Sequence, residues 1–111
     1  MIRLTLIVLG ALMSFVANAQ ALTMQKYLHP KDETERLIFK MYLRGAAEAL
    51  LAYNVTTTDK QYCQPKNFAL TTEQANDIVQ RWAKTQTIKI EEFLVALALL
   101  YGLQETFPCP K

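Results

Sequence analysis

The sequence has little of several residue types on which catalytic and phosphate-binding sites depend. Among 111 residues there are one histidine, two cysteines and three glycines, and the only serine is Ser14. A serine triad is therefore excluded after Ser14, and three scattered glycines do not form a phosphate-binding loop. The formal net charge of +2 is too weak a bias to indicate binding to nucleic acid or to an anionic membrane.

The first nineteen residues have the pattern of a secretory signal peptide. Arg3 is followed by an uncharged apolar stretch, Leu4 to Val16, and then by the small residues Ala17 and Ala19. We predict cleavage after Ala19, export to the periplasm, and a single mature domain over residues 20–111. The alternative is a membrane anchor, but the apolar stretch is shorter than the roughly 20 residues that a spanning helix needs.

Two cysteines, Cys63 and Cys109, lie in the part that we expect to be exported. A pair of cysteines in an oxidising compartment favours one disulfide bond. Closing a loop of this length stabilises a folded chain by roughly 4 kcal/mol through loop-closure entropy. The alternative, a zinc site, lacks ligands because His29 is the only histidine. We expect no metal and no cofactor.

The apolar periodicity predicts an all-α fold, a small bundle of three to four helices stapled by the disulfide. Asp32 with Glu35, and Thr71 with Gln74, are spaced as helix-start pairs. The predicted elements are a short helix over 22–28, a long helix from Asp32 to Tyr53 or Asn54, a loop over 55–69, a second helix from Thr71 or Thr72, and a third helix over 88–103.

Two apolar features raise the question of what covers them. Along the long helix, an apolar stripe surrounds Gly45, and the smooth surface there would let another helix approach closely. The stripe comprises Ile38, Met41, Tyr42, Ala46, Ala49, Leu50 and Tyr53. The third helix has nine consecutive apolar residues, Phe93 to Tyr101. That run is either buried at the centre of one chain or partly covered by a second copy or another partner.

The residues offer no catalytic constellation, so we expect no enzyme. Glu91 and Glu92 are adjacent and would point about 100° apart on a helix, which prevents them from acting across one cleft. A hydrolase or lyase that depends on these carboxylates and Glu48 is the weakest alternative.

Four motifs in this order resemble the Rap/Tai family of type VI secretion immunity proteins: Tyr42-Leu43-x-Gly45, Tyr62-Cys63-Gln64-Pro65, Ala96-Leu97-Ala98-Leu99 and Phe107-Pro108-Cys109. The resemblance implies a small helical protein, often dimeric, which binds and blocks a peptidoglycan amidase in the periplasm. It also implies that Cys63 and Cys109 form the bridge and that Gly45 is a close-packing position. The alternative function is a general periplasmic stress chaperone or envelope assembly factor.

An inhibitor needs a rigid surface, and preordered loops lose less entropy on binding. The loop anchored by Cys63 is therefore the predicted contact surface for the protein partner, with no nucleic acid and no membrane involved after cleavage. The alternative is that this loop is only a solvated connector. The candidate contact residues are Tyr53, Asn54, Asp59, Lys60 and Tyr62.

Overall fold

The computed structural model describes residues 21–111, and these residues form four helices and no strand. This confirms the predicted all-α fold. The predicted signal peptide lies outside the described residues. The helices are α1 (Met24–Leu28), α2 (Glu33–Thr56), α3 (Thr72–Thr85) and α4 (Val95–Thr106).

Both predicted helix starts are confirmed by hydrogen bonds. The Asp32 side chain accepts from the backbone N–H of Glu35 at 2.8 Å. At the start of α3, the Thr71 hydroxyl accepts from the Gln74 N–H, and the Gln74 side chain accepts from the Thr71 N–H, at 3.1 and 2.9 Å. Each pair satisfies amide groups that the first helical turn leaves without an internal partner.

The core is formed where α3 and α4 pack together beneath α2. The predicted buried face of α3, Ala75, Ile78, Val79 and Trp82, is buried. α3 and α4 approach closely at Gly102, where an added Cβ would lie 2.5 Å from the Ile78 side chain and 3.2 Å from its carbonyl oxygen. Glycine at this position therefore sets how closely the two helices pack.

The prediction for the last helix is wrong at its start, because α4 begins at Val95 rather than at Ile88. Residues 91–95 use their backbone groups to pair with the N-terminal segment instead of continuing a helix. The Phe93 carbonyl accepts from the Met24 N–H at 2.8 Å, and the Val95 N–H donates to the Leu22 carbonyl at 3.0 Å. Met24 itself is fully buried, so this N-terminal segment is part of the core.

Most of the apolar run over residues 93–101 is at least partly covered within the chain. Val95, Ala98 and Leu99 are buried, whereas Leu94, Leu97 and Tyr101 remain 37%, 38% and 41% exposed. Tyr101 stacks on Trp82 with ring centroids 5.8 Å apart, and Phe93 lies 5.2 Å from Trp82. The run therefore supplies the centre of this chain's own core.

The apolar stripe predicted on α2 exists, but most of it does not face the core. Two of its members, Ala46 and Leu50, pack inward, together with Phe39, Leu43, Ala47 and Asn54 from outside the predicted stripe. Ile38, Met41 and Tyr53 of the stripe are 56%, 74% and 60% exposed. Gly45 also differs from the expectation, because an added Cβ there would have no neighbour within 4 Å. Within the chain, the close-packing position is Gly102.

Candidate functional site

The α2–α3 loop, residues 57–71, is the longest segment without helix or strand among the described residues. Its first half is held by Asn54 in the last turn of α2. The Asn54 side chain accepts from the Gln61 N–H at 2.8 Å and donates to the Tyr62 carbonyl at 2.7 Å. Within residues 21–111, Asn54 is the only polar or charged residue that is buried. One buried amide thus fixes the path of the loop where it turns back towards the core.

Lys60 makes a second connection between this loop and the end of α2. Its ammonium group donates to the Asn54 carbonyl at 3.0 Å. The carbonyl groups of the last helical turn lack internal partners and carry the negative end of the helix dipole, so a cation is favourable there. Lys60 therefore helps to terminate α2 in addition to carrying charge at the surface.

The middle of the loop is joined covalently to the C-terminus. Cys63 and Cys109 form a disulfide, with Cα atoms 4.8 Å apart, which confirms the predicted bridge. The Cys63 N–H also donates to the Phe107 carbonyl at 2.8 Å. Beside the bridge, Tyr62 is almost fully buried. A covalent bond, a backbone hydrogen bond and a buried ring therefore fix the same short stretch.

The second half of the loop folds back in a turn. The Phe68 N–H donates to the Pro65 carbonyl at 3.2 Å, and Asn67 adopts a φ of 63°, a left-handed conformation that asparagine tolerates better than most residues. The Gln64 side chain donates to the Phe68 carbonyl at 2.7 Å. The Phe68 ring packs against Phe107, with centroids 5.6 Å apart.

This half of the loop stands between two open grooves. One, of about 440 Å³, has an apolar floor that includes Phe68, Ile78 and Phe107, and a wall that includes Glu73 and the ion pair of Asp77 and Arg81. The other, of about 520 Å³, separates the loop from α2 and is lined by residues that include Arg44, Glu48 and Leu51. Residues of this half of the loop therefore line both grooves.

Two tyrosines have raised pKa values because burial disfavours their charged forms. For Tyr27, burial and the nearby carboxylate of Glu73 raise the pKa to about 12. Its hydroxyl donates to the Asn76 side chain. For Tyr62, burial alone raises the pKa of the phenol. Both rings belong to the buried core cluster.

The five candidate contact residues occupy two kinds of position. Asp59 and Lys60 are exposed on the loop, and Tyr53 is exposed at the end of α2, so partner contact stays a prediction for these three. Asn54 and Tyr62 are buried, and their observed contacts hold the loop in place. Sequence reasoning missed the anchoring roles of Gln64, Phe68 and Phe107, although Phe107 beside Cys109 was a visible cue.

Neither a metal site nor a membrane-spanning segment is found in the described part of the chain. Across residues 21–111, no three or more histidine, cysteine, aspartate or glutamate side chains are grouped so that they could hold a metal ion. Over the same range, the helices are too short or too polar to cross a bilayer.

Comparison with known proteins identifies a family. Residues 12–109 match the family described as Rap1a immunity proteins. The matched range covers most of the chain and includes both cysteines and the whole α2–α3 loop. No curated protein and no solved structure matches the chain. The match agrees with the motifs that surround Gly45, Cys63 and Cys109. The chain therefore belongs to the Rap1a immunity protein family.

Proposed function

We propose that this protein is a periplasmic immunity protein that binds and occludes a peptidoglycan amidase delivered by a type VI secretion system. Family membership supports an immunity function towards a toxin. The signal-peptide pattern of residues 1–19, with cleavage after Ala19, supports export of residues 20–111 as one domain. Inhibition would require binding alone, which fits a chain without a catalytic constellation.

The observation that carries the proposed mode of binding is the anchored α2–α3 loop. A loop without regular hydrogen bonding would ordinarily lose conformational entropy when a partner orders it. This loop is already held by Asn54, by the Cys63–Cys109 bridge and by the contact of Phe68 with Phe107. Binding would therefore lose little of its free energy to ordering.

Asp59 is the residue that we propose as the charged contact at the exposed end of the loop. Its backbone N–H donates to the Thr57 hydroxyl at 3.3 Å, which fixes the turn while the side chain stays exposed. Lys60 follows it on the loop, and Tyr53 lies near the end of α2. A second copy of the chain is the other partner that we propose.

The test is a titration of a purified type VI peptidoglycan amidase from the same cell, with release of peptide from purified peptidoglycan as the readout. The oxidised protein is expected to abolish turnover at a one-to-one ratio. Asp59→Arg is expected to weaken inhibition by about tenfold, the equivalent of about 1.4 kcal/mol. The matched control is Glu92→Arg, the same charge change at an exposed site on the α3–α4 connection.

Two results would contradict the proposal. If the oxidised protein leaves the amidase fully active at an excess of inhibitor, the amidase is not its target. If Asp59→Arg and Glu92→Arg both inhibit as well as the unchanged protein, the exposed end of the loop is not the contact surface.

A further inference from the structure

The groove of about 440 Å³ beside the second half of the α2–α3 loop, here called the Phe68 groove, has an apolar floor. Phe68 follows one cysteine of the bridge in the chain, and Phe107 precedes the other. Their rings lie 5.6 Å apart, and Ile78 of α3 adds to the floor between them and the helix. Three segments therefore form the floor, and the disulfide holds two of these segments together.

Phe68 is a large apolar side chain that remains 36% exposed beside the exposed polar residues Lys66 and Asn67. Its backbone is held on both sides, since its N–H donates to the Pro65 carbonyl and its carbonyl accepts from the Gln64 side chain. Aromatic rings are enriched at protein–protein interfaces. A ring that is already fixed loses little entropy when a partner covers it.

One wall of the Phe68 groove is a row of charged side chains along α3. Glu73, Asp77 and Arg81 stand four residues apart, so they share one side of the helix over about 12 Å. Asp77 and Arg81 form an exposed ion pair at 2.8 Å. Glu73 is paired at 3.0 Å with Lys40, which reaches it from α2 and does not line the groove. The lining therefore carries two carboxylates and one guanidinium.

These charges restrict which segment of a partner fits the groove. An acidic side chain above Asp77 would also meet the like charge of Glu73 one turn away, whereas a lysine or arginine would be attracted by both. The ion pairs already present are exposed to solvent and contribute little, so an incoming cation can share Asp77 with Arg81. Its aliphatic stem would at the same time cover the apolar floor.

We infer that the Phe68 groove receives a segment of the toxin in which a large apolar side chain is followed by a lysine or arginine. The apolar side chain packs on Phe68, Ile78 and Phe107, and the cation lies at Asp77. The inference rests on the proposed function, because it names the chemistry of the toxin surface that the immunity protein recognises. It adds a contact surface that is separate from Asp59.

The first test uses a peptide probe and no toxin. The capped tetrapeptide Gly-Leu-Arg-Gly is titrated into the oxidised, isotope-labelled protein, and amide chemical shifts are followed by NMR. The amides of Phe68, Asp77 and Thr106, which border the groove, are expected to shift most. The control peptide Gly-Leu-Glu-Gly is expected to bind at least about tenfold more weakly, because its carboxylate meets the carboxylates of the wall.

The second test changes the wall charges in opposite directions and measures the inhibition constant for the amidase. Asp77→Arg is expected to weaken inhibition by about tenfold, whereas Arg81→Glu is expected to tighten it by about threefold, because it removes the cation that competes for Asp77. Glu92→Arg and Lys84→Glu are the matched controls at exposed sites that do not line the groove. Both controls should inhibit like the unchanged protein.

The third test removes the exposed ring from the floor. Phe68→Ala is expected to weaken inhibition by about tenfold or more, as expected for an aromatic contact at an interface. Ile88→Ala is the matched control, because it shortens a 55% exposed apolar side chain away from the groove. Urea unfolding of both variants, and the charge variants of the wall, separate a lost contact from a lost fold.

The outcomes separate this inference from its rivals and from the proposed function. The inference is overturned if neither peptide shifts the groove amides, if both peptides bind equally, or if Asp77→Arg and Phe68→Ala inhibit normally. Groove amides that shift with protein concentration alone would show that a second copy occupies the groove, which also overturns it. Normal inhibition by all groove variants would leave the proposed function standing. Conversely, selective peptide binding by a protein that never inhibits the amidase would support the groove and refute the proposed function.

Discussion

The two long connections of this fold are held by different means. The α2–α3 loop (residues 57–71) is tied by a disulfide and by the buried side chain of Asn54. The α3–α4 connection (residues 86–94) is tied by backbone hydrogen bonds to the N-terminal segment around Met24 and by packing of Phe93 against Trp82. The first connection is therefore held mainly by a covalent bond and one buried side chain, whereas the second is held mainly by backbone hydrogen bonds and aromatic packing.

The two connections also differ in what they contribute to the core and to the exposed surface. The α3–α4 connection and the N-terminal segment complete the core, since Met24 and Val95 are fully buried. The α2–α3 loop contributes few residues to the core, yet it has the covalent anchor and exposes polar groups such as Asp59. A covalent constraint on an exposed loop is expected where the shape of that loop matters for binding.

The largest expected effect comes from removing the covalent anchor. The double variant Cys63→Ser/Cys109→Ser is expected to lose about 4 kcal/mol of unfolding free energy, because the unfolded chain without the bridge has a larger conformational entropy. Urea unfolding of the oxidised protein and the double variant measures the difference. A loss below about 1 kcal/mol would show that the bridge adds little to the hydrogen bonds around it.

The next largest effect tests the non-covalent anchor of the other connection. Met24→Ala is expected to lose about 3 kcal/mol, since it leaves a cavity at a fully buried position under the α3–α4 connection. Met41→Ala is the matched control at a highly exposed position, where a change within about 0.5 kcal/mol is expected. Equal losses in urea unfolding would contradict the assignment of the N-terminal segment to the core.

A smaller effect is expected at the hydrogen-bonding anchor of the α2–α3 loop. Asn54→Ala removes a donor and an acceptor from buried partners and is expected to destabilise by about 2 kcal/mol. Hydrogen exchange at the amides of Gln61 and Tyr62 should quicken more than exchange in α3. Gln61→Ala, which removes an exposed side chain, is the control. Unchanged exchange in the Asn54 variant would show that the disulfide alone orders the loop.

The smallest expected effect is at Tyr27 and depends on pH. Its pKa is raised to about 12 in the folded protein, so its contribution is fully present below the ordinary phenol pKa of about 10 and is lost as the pH rises towards 12. Tyr27→Phe is expected to lose about 1 kcal/mol at neutral pH and to show a shallower decline between pH 10 and 12. A decline as steep as that of the unchanged protein would contradict this role, and Tyr53→Phe should match the unchanged protein.

The features that could be predicted from the sequence are those encoded by local residue chemistry. The pairs Asp32 with Glu35 and Thr71 with Gln74 mark helix starts through contacts three residues apart. The bridge was predictable because only two cysteines exist. The length of the α2–α3 loop followed from the break in apolar spacing between α2 and α3.

The features that could not be predicted depend on contacts between distant segments. The apolar content of residues 88–94 suits a helix, but the backbone of Glu91, Phe93 and Val95 pairs with residues 22–25. Such pairing leaves no trace in side-chain periodicity. On α2, two apolar faces coexist, and only packing against α3 and α4 decides which one is buried. For the same reason the close approach lies at Gly102 and not at Gly45.

For the candidate site, the sequence indicated the loop and its covalent anchor but could not separate contact residues from anchoring ones. Asn54 and Tyr62 are polar or amphipathic residues in a polar stretch, and this pattern is typical of a surface. Their burial follows from the return of the chain to Cys109, which brings Tyr62 and Phe107 into the same region.

We propose that the anchored shape of the α2–α3 loop makes this protein an inhibitor. The most direct test is the inhibition constant of the Cys63→Ser/Cys109→Ser variant for a type VI peptidoglycan amidase from the same cell, at a temperature where circular dichroism shows the helices of the variant intact. Loss of the anchor is expected to weaken inhibition by about tenfold or more, because the loop must then be ordered on binding. Inhibition as tight as that of the oxidised protein would contradict the claim.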